Sequence, residues 1–324
     1  MPTVSVIIPN YNHAAYLKQR IDSVIDQTFQ DFEVIILDDC SKDDSKNIIE
    51  QYRNHPKVSH IVYNEENSGS TFKQWKKGVE LAKGEWIWIA ESDDWAELTF
   101  LDYLTKPFLQ SKIKDVCLIY GQSYIYYNET SEIFTEEFRR KFEIIDKNSF
   151  IEQKLIPRNY LYNASMAIFR KEAFLKISDY YTKFSYCGDW IFWAEISRIG
   201  KSIQIPQYIN YFRKHPKSVS LNAMKNYKGI MQDLDAILYF RDFLKVDNKQ
   251  ITLGAYKFLK RYVEISTSNF KAENIKEIED KFINILGKES FYRKKRQLFK
   301  TINYPKSLEY RIKLKIRKIL KKIN

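Results

Sequence analysis

Residues 91–94, Glu-Ser-Asp-Asp, put three carboxylates into four positions directly after the apolar run "WIWIA" at 86–90. Adjacent carboxylates at one strand end repel each other unless a cation or a donor-rich ligand joins them. Hard oxygen donors suit Mg2+ or Mn2+ better than zinc, and Mg2+ is usually held by one or two carboxylates together with substrate phosphates. Asp93 and Asp94 therefore point to a divalent cation and a nucleotide diphosphate. The plainer alternative is that one of them caps a helix beginning near Trp95. A second acidic pair, Asp38 and Asp39, closes "FEVIILDD". It could accept hydrogen bonds from a ribose hydroxyl or a base N–H, or belong to a turn ahead of Ser41 as a helix cap. "PNYN" offers Tyr11 to stack on a base and Pro9 to fix a strand exit, with Asn10 and Asn12 alongside.

These groups need a scaffold, and the first hundred residues supply one. "TVSVIIP", "FEVIILDD", "VSHIVY" and "EWIWIA" read as strands. Between them Leu17, Ile21, Val24 and Ile25 recur at helical spacing, "SKDDSKNIIEQY" follows Ser41, and "TFKQWKKGVELAKG" ends near Gly84. Such alternation predicts right-handed βαβ units and a mostly parallel, Rossmann-like α/β sheet with helices on both faces. Ligands of open α/β sheets bind outside the carboxyl ends of the strands. Asn10–Asn12, Asp38–Asp39 and Asp93–Asp94 all fall at such ends, so they share one crevice. "DVCLIYGQSYIYY" and "NASMAIFR" read as further strands, the latter leading into a helix at 171–177, and "DWIFWAEISRIG" as a helix. Beyond about residue 222 helical patterns dominate. The expected division is 1–220 as a catalytic domain, with a nucleotide-binding half (1–100) and an acceptor half (101–220), then a helical extension (221–290) and a basic tail (291–324).

Taken in order, "VSVIIPNYNHAAYLKQRIDSVIDQTFQDFEVIILDDCSKDDS", "NSG" and "GEWIWIAESDD" resemble the family 2 glycosyltransferases of GT-A fold over roughly residues 3–100. The resemblance implies inverting, metal-dependent transfer of a sugar from a nucleotide-diphosphate sugar, often UDP-linked, to an acceptor hydroxyl. That would make the chain a hexosyl- or N-acetylhexosaminyltransferase of surface polysaccharide or glycan biosynthesis. By the family pattern Pro9, Tyr11, Asn12 and Asp39 hold the nucleoside, Asp93 approaches the ribose, and Asp94 coordinates Mn2+ or Mg2+. Glu91 stands where many relatives carry Asp. The family's catalytic base, an Asp ahead of an aromatic helix, matches Asp189 in "SYCGDWIFWAEI"; an N-cap on that helix is the bland alternative. "YFRKHPKSVS" resembles a family segment in which Arg213, His215 and Ser218 contact the diphosphate or cover the donor; the alternative is a basic surface loop. Asn163 and Ser165 in "YNASMAIF" match the acceptor-side segment, and Lys73 is a candidate for a phosphate or for solvent. Two departures stand out. Lys73–Gln74–Trp75 replaces an Arg-Asn pair common in the family, and the Gln-x-x-Arg-Trp motif of processive synthases is missing, which implies one sugar per binding event.

The 324 residues, 44% hydrophobic and 15% aromatic, are enough to build a sizeable core. Cys40, Cys117 and Cys187 are scattered and odd in number, which suits neither a disulfide framework nor a zinc site. The net charge of +12 is uneven: residues 1–220 carry 28 basic and 30 acidic side chains, residues 291–324 carry 13 and one. A nucleic-acid-binding body would be basic throughout, so that class is disfavoured. A sugar-phosphate nucleotidyltransferase would carry a glycine-rich basic loop after strand one, and "PNYNHAAY" has neither glycine nor lysine. On a helical projection of 306–324, Leu308, Ile312, Ile316, Ile319, Leu320 and Ile323 share an arc of about 120°, and basic residues fill most of the rest. This is the pattern of an interfacial helix, or else of a basic helix docked on its own domain. With no signal-like N-terminus and no run of 18 apolar residues, the expected location is cytoplasmic, with the tail on the inner face of an anionic membrane and a glycan or lipid-linked acceptor.

Overall fold

β-branched and aromatic runs build the centre of the molecule. In the computed structural model, which describes every residue except 110–112, 136–141, 148, 158, 217–222, 224–225, 266–269 and 303–324, strands β1 (Val4–Asn10) and β2 (Phe32–Asp38) are buried along their whole length. They pair in parallel with β3 (Val58–Tyr63) and β4 (Trp86–Ile89), in the order β3-β2-β1-β4. Burial on both faces is why these runs read as continuous rather than alternating hydrophobic stretches. Helix α1 (Ala14–Ile25) turns Leu17, Ile21 and Val24 inward, together with one charged residue, Arg20. Helix α2 is short, Ser45–Glu50, with Asp44 at its N-cap, so Ser41 is not the cap. The Ser41 hydroxyl instead accepts from the Asn12 N–H at 2.9 Å and takes a bond from Asn10 Nδ2 at 3.2 Å, tying the end of β1 to the loop after β2. Helix α3 (Thr71–Leu81) stops three residues before Gly84. A Cβ on Gly84 would stand 2.6 Å from the backbone nitrogen of Ser5, so only glycine lets the chain pass under β1 there.

The second half of the sheet is mixed. β9 (Ala167–Arg170) enters antiparallel between β4 and β6 (Val116–Tyr127), and β6 runs parallel to β10 (Lys201–Lys214). The short strand β5 (Trp95–Ala96) pairs antiparallel with β10, β7 (Glu132–Thr135) with β6, and β8 (Glu143–Ile145) with β10. The expected mostly parallel sheet is thus parallel through β4 and mixed beyond it. Residues after Asp94 form β5 rather than a helix, and the next helix, α4, spans Phe100–Leu109. Neither Asp93 nor Asp94 caps a helix. Helix α5 covers Lys171–Phe174, shorter than the 171–177 expected, and α6 covers Gly188–Ile199.

The chain divides into two compact units, Met1–Leu221 and Asn222–Asn324. The second is helical: α7 (Tyr227–Asp242), α8 (Asn248–Glu264), α9 (Ala272–Leu286) and a helix at 288–302. Asn226 and Asp247 cap α7 and α8 by accepting from Gly229 N and Lys249 N, each at 2.8 Å. Leu234, Ile237, Phe240, Leu259, Ile278, Phe282 and Phe291 are buried within it. No described helix is long and apolar enough to cross a membrane. The amphipathic pattern at 306–324 lies outside the described residues.

Candidate functional site

The strand order reverses between β1 and β4, and the chain segments leaving these two strands meet the end of β10. The pairing of Tyr211 with Trp95 and of Asn210 with Ala96 determines how they meet. Continuing that antiparallel register by two residues sets Arg213 against Asp93, and Arg213 Nε donates to the Asp93 carbonyl at 2.8 Å. Trp95 and Tyr211 stack with centroids 4.5 Å apart, and the Arg213 guanidinium lies over Trp95, Tyr16 and Tyr126. Its other nitrogens donate to Asn128 Oδ1 and Gln19 Oε1, at 2.9 and 2.6 Å. Arg213, expected at the diphosphate, is therefore a buried clasp between β10 and the 91–95 turn. Each of its three nitrogens donates to a protein acceptor.

The two aspartates have opposite environments. The Asp94 side chain is 1% exposed. Its Oδ1 accepts from Arg213 N at 3.0 Å, and its Oδ2 from Asn163 Nδ2 at 2.8 Å and Ser165 Oγ at 2.7 Å. Arg20 Nη2 stands 3.8 Å away, fully buried. Burial, and then the neighbouring Asp93, push the Asp94 carboxyl up to about 6 against the pull of Arg20, Ser165 and the Arg213 N–H. Burial likewise lowers Arg20 to about 10, which leaves it charged at neutral pH. Asp94, expected as the metal carboxylate, is a core residue whose two oxygens each accept from the protein. Asn163 and Ser165, expected on the acceptor side, are what hold it. Asp93 is 19% exposed, and its Oδ2 lies 3.1 Å from Nε2 of the buried His215. Burial would raise its carboxyl, but the hydrogen bond from His215 and the nearby imidazoles of His13 and His215 outweigh that and hold it below the usual carboxylate range. His13, Asp93 and His215 each offer one ligating atom, all within 4.8 Å of one another. A carboxylate and imidazoles are donors a divalent transition-metal ion takes, so the residues present fit the cation, at Asp93 rather than at Asp94.

At the β2 side the Asp39 carboxylate organises a loop. Asn64 Nδ2, Ser68 N and Gln74 Nε2 donate to Oδ1, while Ser68 Oγ and Asn67 Nδ2 donate to Oδ2. Asp39, expected on the base edge, is 4% exposed with its carboxylate so engaged. Asn12, at φ 55°, accepts from Lys42 N at 2.7 Å, Pro9 pairs with Leu37 inside the sheet, and Tyr11 is 45% exposed at the rim. Lys73 Nζ donates to the Ser68 carbonyl at 2.9 Å, so it braces the same loop. Ser218 lies outside the described residues.

Asp189 is half-buried in the first turn of α6, whose N-cap is Cys187, so it is not the cap residue. Trp75 links this helix to the carboxylate cluster. Trp75 packs on Phe192 and Trp193 of α6 at 5.3 and 6.2 Å, and donates from Nε1 to Glu91 Oε1 at 2.7 Å. Burial, with Asp93 adding repulsion, raises the Glu91 carboxyl to about 8. His13 and Arg20 are the residues sequence reasoning passed over, and Gln74 and Trp75 stood out only as a departure from the family pattern. Arg20 carried a readable signal, a cation three residues from Leu17 on the apolar face of a helix. His13 carried only its place three residues past β1.

Residues 5–178, more than half of the chain, match glycosyl transferase family 2. The putative teichuronic acid biosynthesis glycosyltransferase TuaG of Bacillus subtilis is 42% identical over 93 residues, 29% of this chain and 36% of TuaG, so the chain spans about a third of that relative. The poly(ribitol-phosphate) beta-N-acetylglucosaminyltransferase TarS of Staphylococcus aureus is 36% identical over 123 residues, 37% of this chain and 21% of TarS. The crystal structure of TarS 1–349 with UDP superposes with a TM-score of 0.66 at 17% identity, covering 94% of this chain and 92% of that one, and the same fragment has been solved with UDP-GlcNAc. GalNAc-T7 with UDP, GalNAc and Mn2+ superposes with a TM-score of 0.57 at 14% identity, covering 87% of this chain and 54% of that one. At these identities the superpositions establish the GT-A fold.

Proposed function

The chain belongs to glycosyl transferase family 2, and from that premise we propose that it transfers a sugar, with inversion, from a UDP-sugar to an acceptor hydroxyl during assembly of a cell-surface glycan. The observation that carries this reading is the divided aspartate pair. Asp94 is locked into the core by Arg20, Asn163, Ser165 and the Arg213 N–H, which leaves Asp93 and His215 as donors at the carboxyl end of β4. This is where an open α/β sheet takes its ligand. A divalent cation held by Asp93 and His215 would offset the charge that grows on the departing diphosphate, which is worth several kcal/mol of the barrier. Asp189 is the base: as the acceptor oxygen bonds to the anomeric carbon and the bond to the diphosphate breaks, the acceptor proton passes to its carboxylate. The Asp39 loop, Tyr11 and Asn12 border the nucleoside side of the crevice. The acceptor class, a glycan or lipid-linked chain, is inferred from the names of TuaG and TarS.

A thermal-shift panel of UDP-, GDP-, CDP- and dTDP-sugars with and without Mn2+ tests the reading. UDP-sugars should stabilise the protein in a metal-dependent way, and Asp93→Asn should abolish that shift. Asp189→Asn should keep the shift while sugar transfer falls by about 10²–10⁴. A protein stabilised by no nucleotide sugar, or an Asp93→Asn variant that binds UDP and Mn2+ like the parent, would overturn it.

A further inference from the structure

We propose that His13 is a third protein ligand of the cation site, which makes the site one carboxylate and two imidazoles and biases it toward Mn2+ and away from Mg2+. This rests on the metal-dependent reading above. The geometry starts from the Asp93–His215 pair. Two ligands at right angles about an ion, each about 2.1 Å from it, stand about 3.0 Å apart. Asp93 Oδ2 and His215 Nε2 are separated by 3.1 Å, and both sit on segments held rigid by the β5–β10 pairing. His13 comes from a third segment, the N-cap position of α1, where its carbonyl accepts from Tyr16 N and Leu17 N, each at 2.9 Å. Its ligating nitrogen lies within 4.8 Å of the other two donor atoms. Ligands on opposite sides of one ion are about 4.2 Å apart, so the three donor atoms lie close to the spacing one ion requires.

The orientation of His13 favours this use. Its Nδ1 is hydrogen-bonded to Ser92 Oγ at 2.8 Å, and Nε2 is the donor assigned to the metal. A metal-bound histidine almost always has its second nitrogen engaged in this way, because the outer bond selects the tautomer and steadies the ring. The His13 and His215 rings meet edge to face with centroids 5.7 Å apart, an arrangement in which two imidazoles can approach one ion from different directions. Ser92 lies between Glu91 and Asp93, so the turn that carries the carboxylate also orients the imidazole.

The donor set has a consequence for the choice of metal. Mg2+ prefers oxygen donors and sheds water reluctantly, whereas imidazole nitrogen suits the transition metals. Three protein ligands leave the remaining positions of a six-coordinate ion for diphosphate oxygens and water.

Mn2+ binding to the full-length protein, followed by electron paramagnetic resonance without nucleotide and again with UDP, tests the proposal. The parent should bind Mn2+, with pulsed measurements showing two coupled imidazole nitrogens. His13→Ala should weaken binding about tenfold or more and show one nitrogen. Ser92→Ala should weaken binding less and keep both, which separates ligation from support. Mg2+ should displace Mn2+ from the parent only at about hundredfold excess or more. Unchanged affinity and two nitrogens in His13→Ala, or equal competition by Mg2+, would overturn the assignment, as would a parent that binds no Mn2+. Nitrogen counting does not depend on the stability of the variant. If Mn2+ binds through His13 but UDP does not bind at all, the donor reading fails and the His13 site stands.

Discussion

Asp94 and Arg20 form a buried pair whose members cannot be removed singly without leaving a charge in the core. Arg20 donates from Nε to the Glu91 carbonyl at 2.9 Å, so it supports the turn as well as the carboxylate. Breaking one side of such a pair costs about 3–5 kcal/mol, because the remaining ion stays in the core without its counter-charge. Asp94→Ala should therefore lower the thermal midpoint strongly with no ligand present. Asp93→Asn, at a partly exposed position, should shift the ligand-free midpoint little while abolishing metal-dependent stabilisation by UDP. Melting curves of both variants with and without Mn2+ and UDP check this. Equal loss of metal response with no difference in ligand-free stability would contradict the division of roles.

Among the elements, α6 is closely fitted at its first turn. A Cβ on Gly188 would stand 2.5 Å from the Tyr181 carbonyl and 2.7 Å from the Phe72 ring. Gly188→Ala should cost about 1–3 kcal/mol and shift the first turn that carries Asp189. Measured rates should then fall more than UDP affinity. In the helical unit the Asp233 carboxylate is buried between α7 and α8 with Arg261 as its ion-pair partner. Burial raises Asp233 to about 6 in spite of that arginine, whereas an unfolded aspartate titrates near 3.9. The folded state therefore holds the proton more tightly, and by linkage stability falls as pH rises between about 4 and 6 and then levels off. Two pKa units correspond to at most about 3 kcal/mol. Asp233→Asn should flatten this part of the stability–pH profile, as measured by denaturant unfolding at pH 4.5, 5.5 and 7; an unchanged slope would disprove it.

At the scale of the whole molecule, the net charge of +12 belongs to the far end of the chain. Deleting 303–324 removes eight basic and one acidic side chain and brings the net charge to +5. We propose that this segment docks on an anionic bilayer, where each basic residue contributes on the order of 1 kcal/mol before screening. The truncated protein should lose flotation with anionic vesicles and keep the melting behaviour and UDP response of the parent. Flotation at parental levels would show that the segment serves another purpose. A lipid-linked acceptor would give such docking a use, since it would bring the crevice to its substrate.

The apolar runs at 6–8, 34–37 and 86–90 by themselves determined a buried parallel sheet, and the polar residues after them determined which edge carries the chemistry, because both follow from strand burial and chain direction. The family likeness was legible for the same reason: its residues fall within the first hundred positions and follow one another in order. Which of two adjacent aspartates faces the crevice was not legible. That choice depends on donors from β10 and the 163–165 segment, some 70 to 120 positions away, and their arrival turned Asp94 inward and left Asp93 partly exposed. The same holds for His13 and His215, which share a site only because the two-residue strand β5 pairs with β10 in one register. Sequence order determines which groups are available at a strand end. Tertiary packing decides which are consumed in holding the fold and which remain to bind a ligand, because each buried polar group must be satisfied by whatever neighbour folding brings to it.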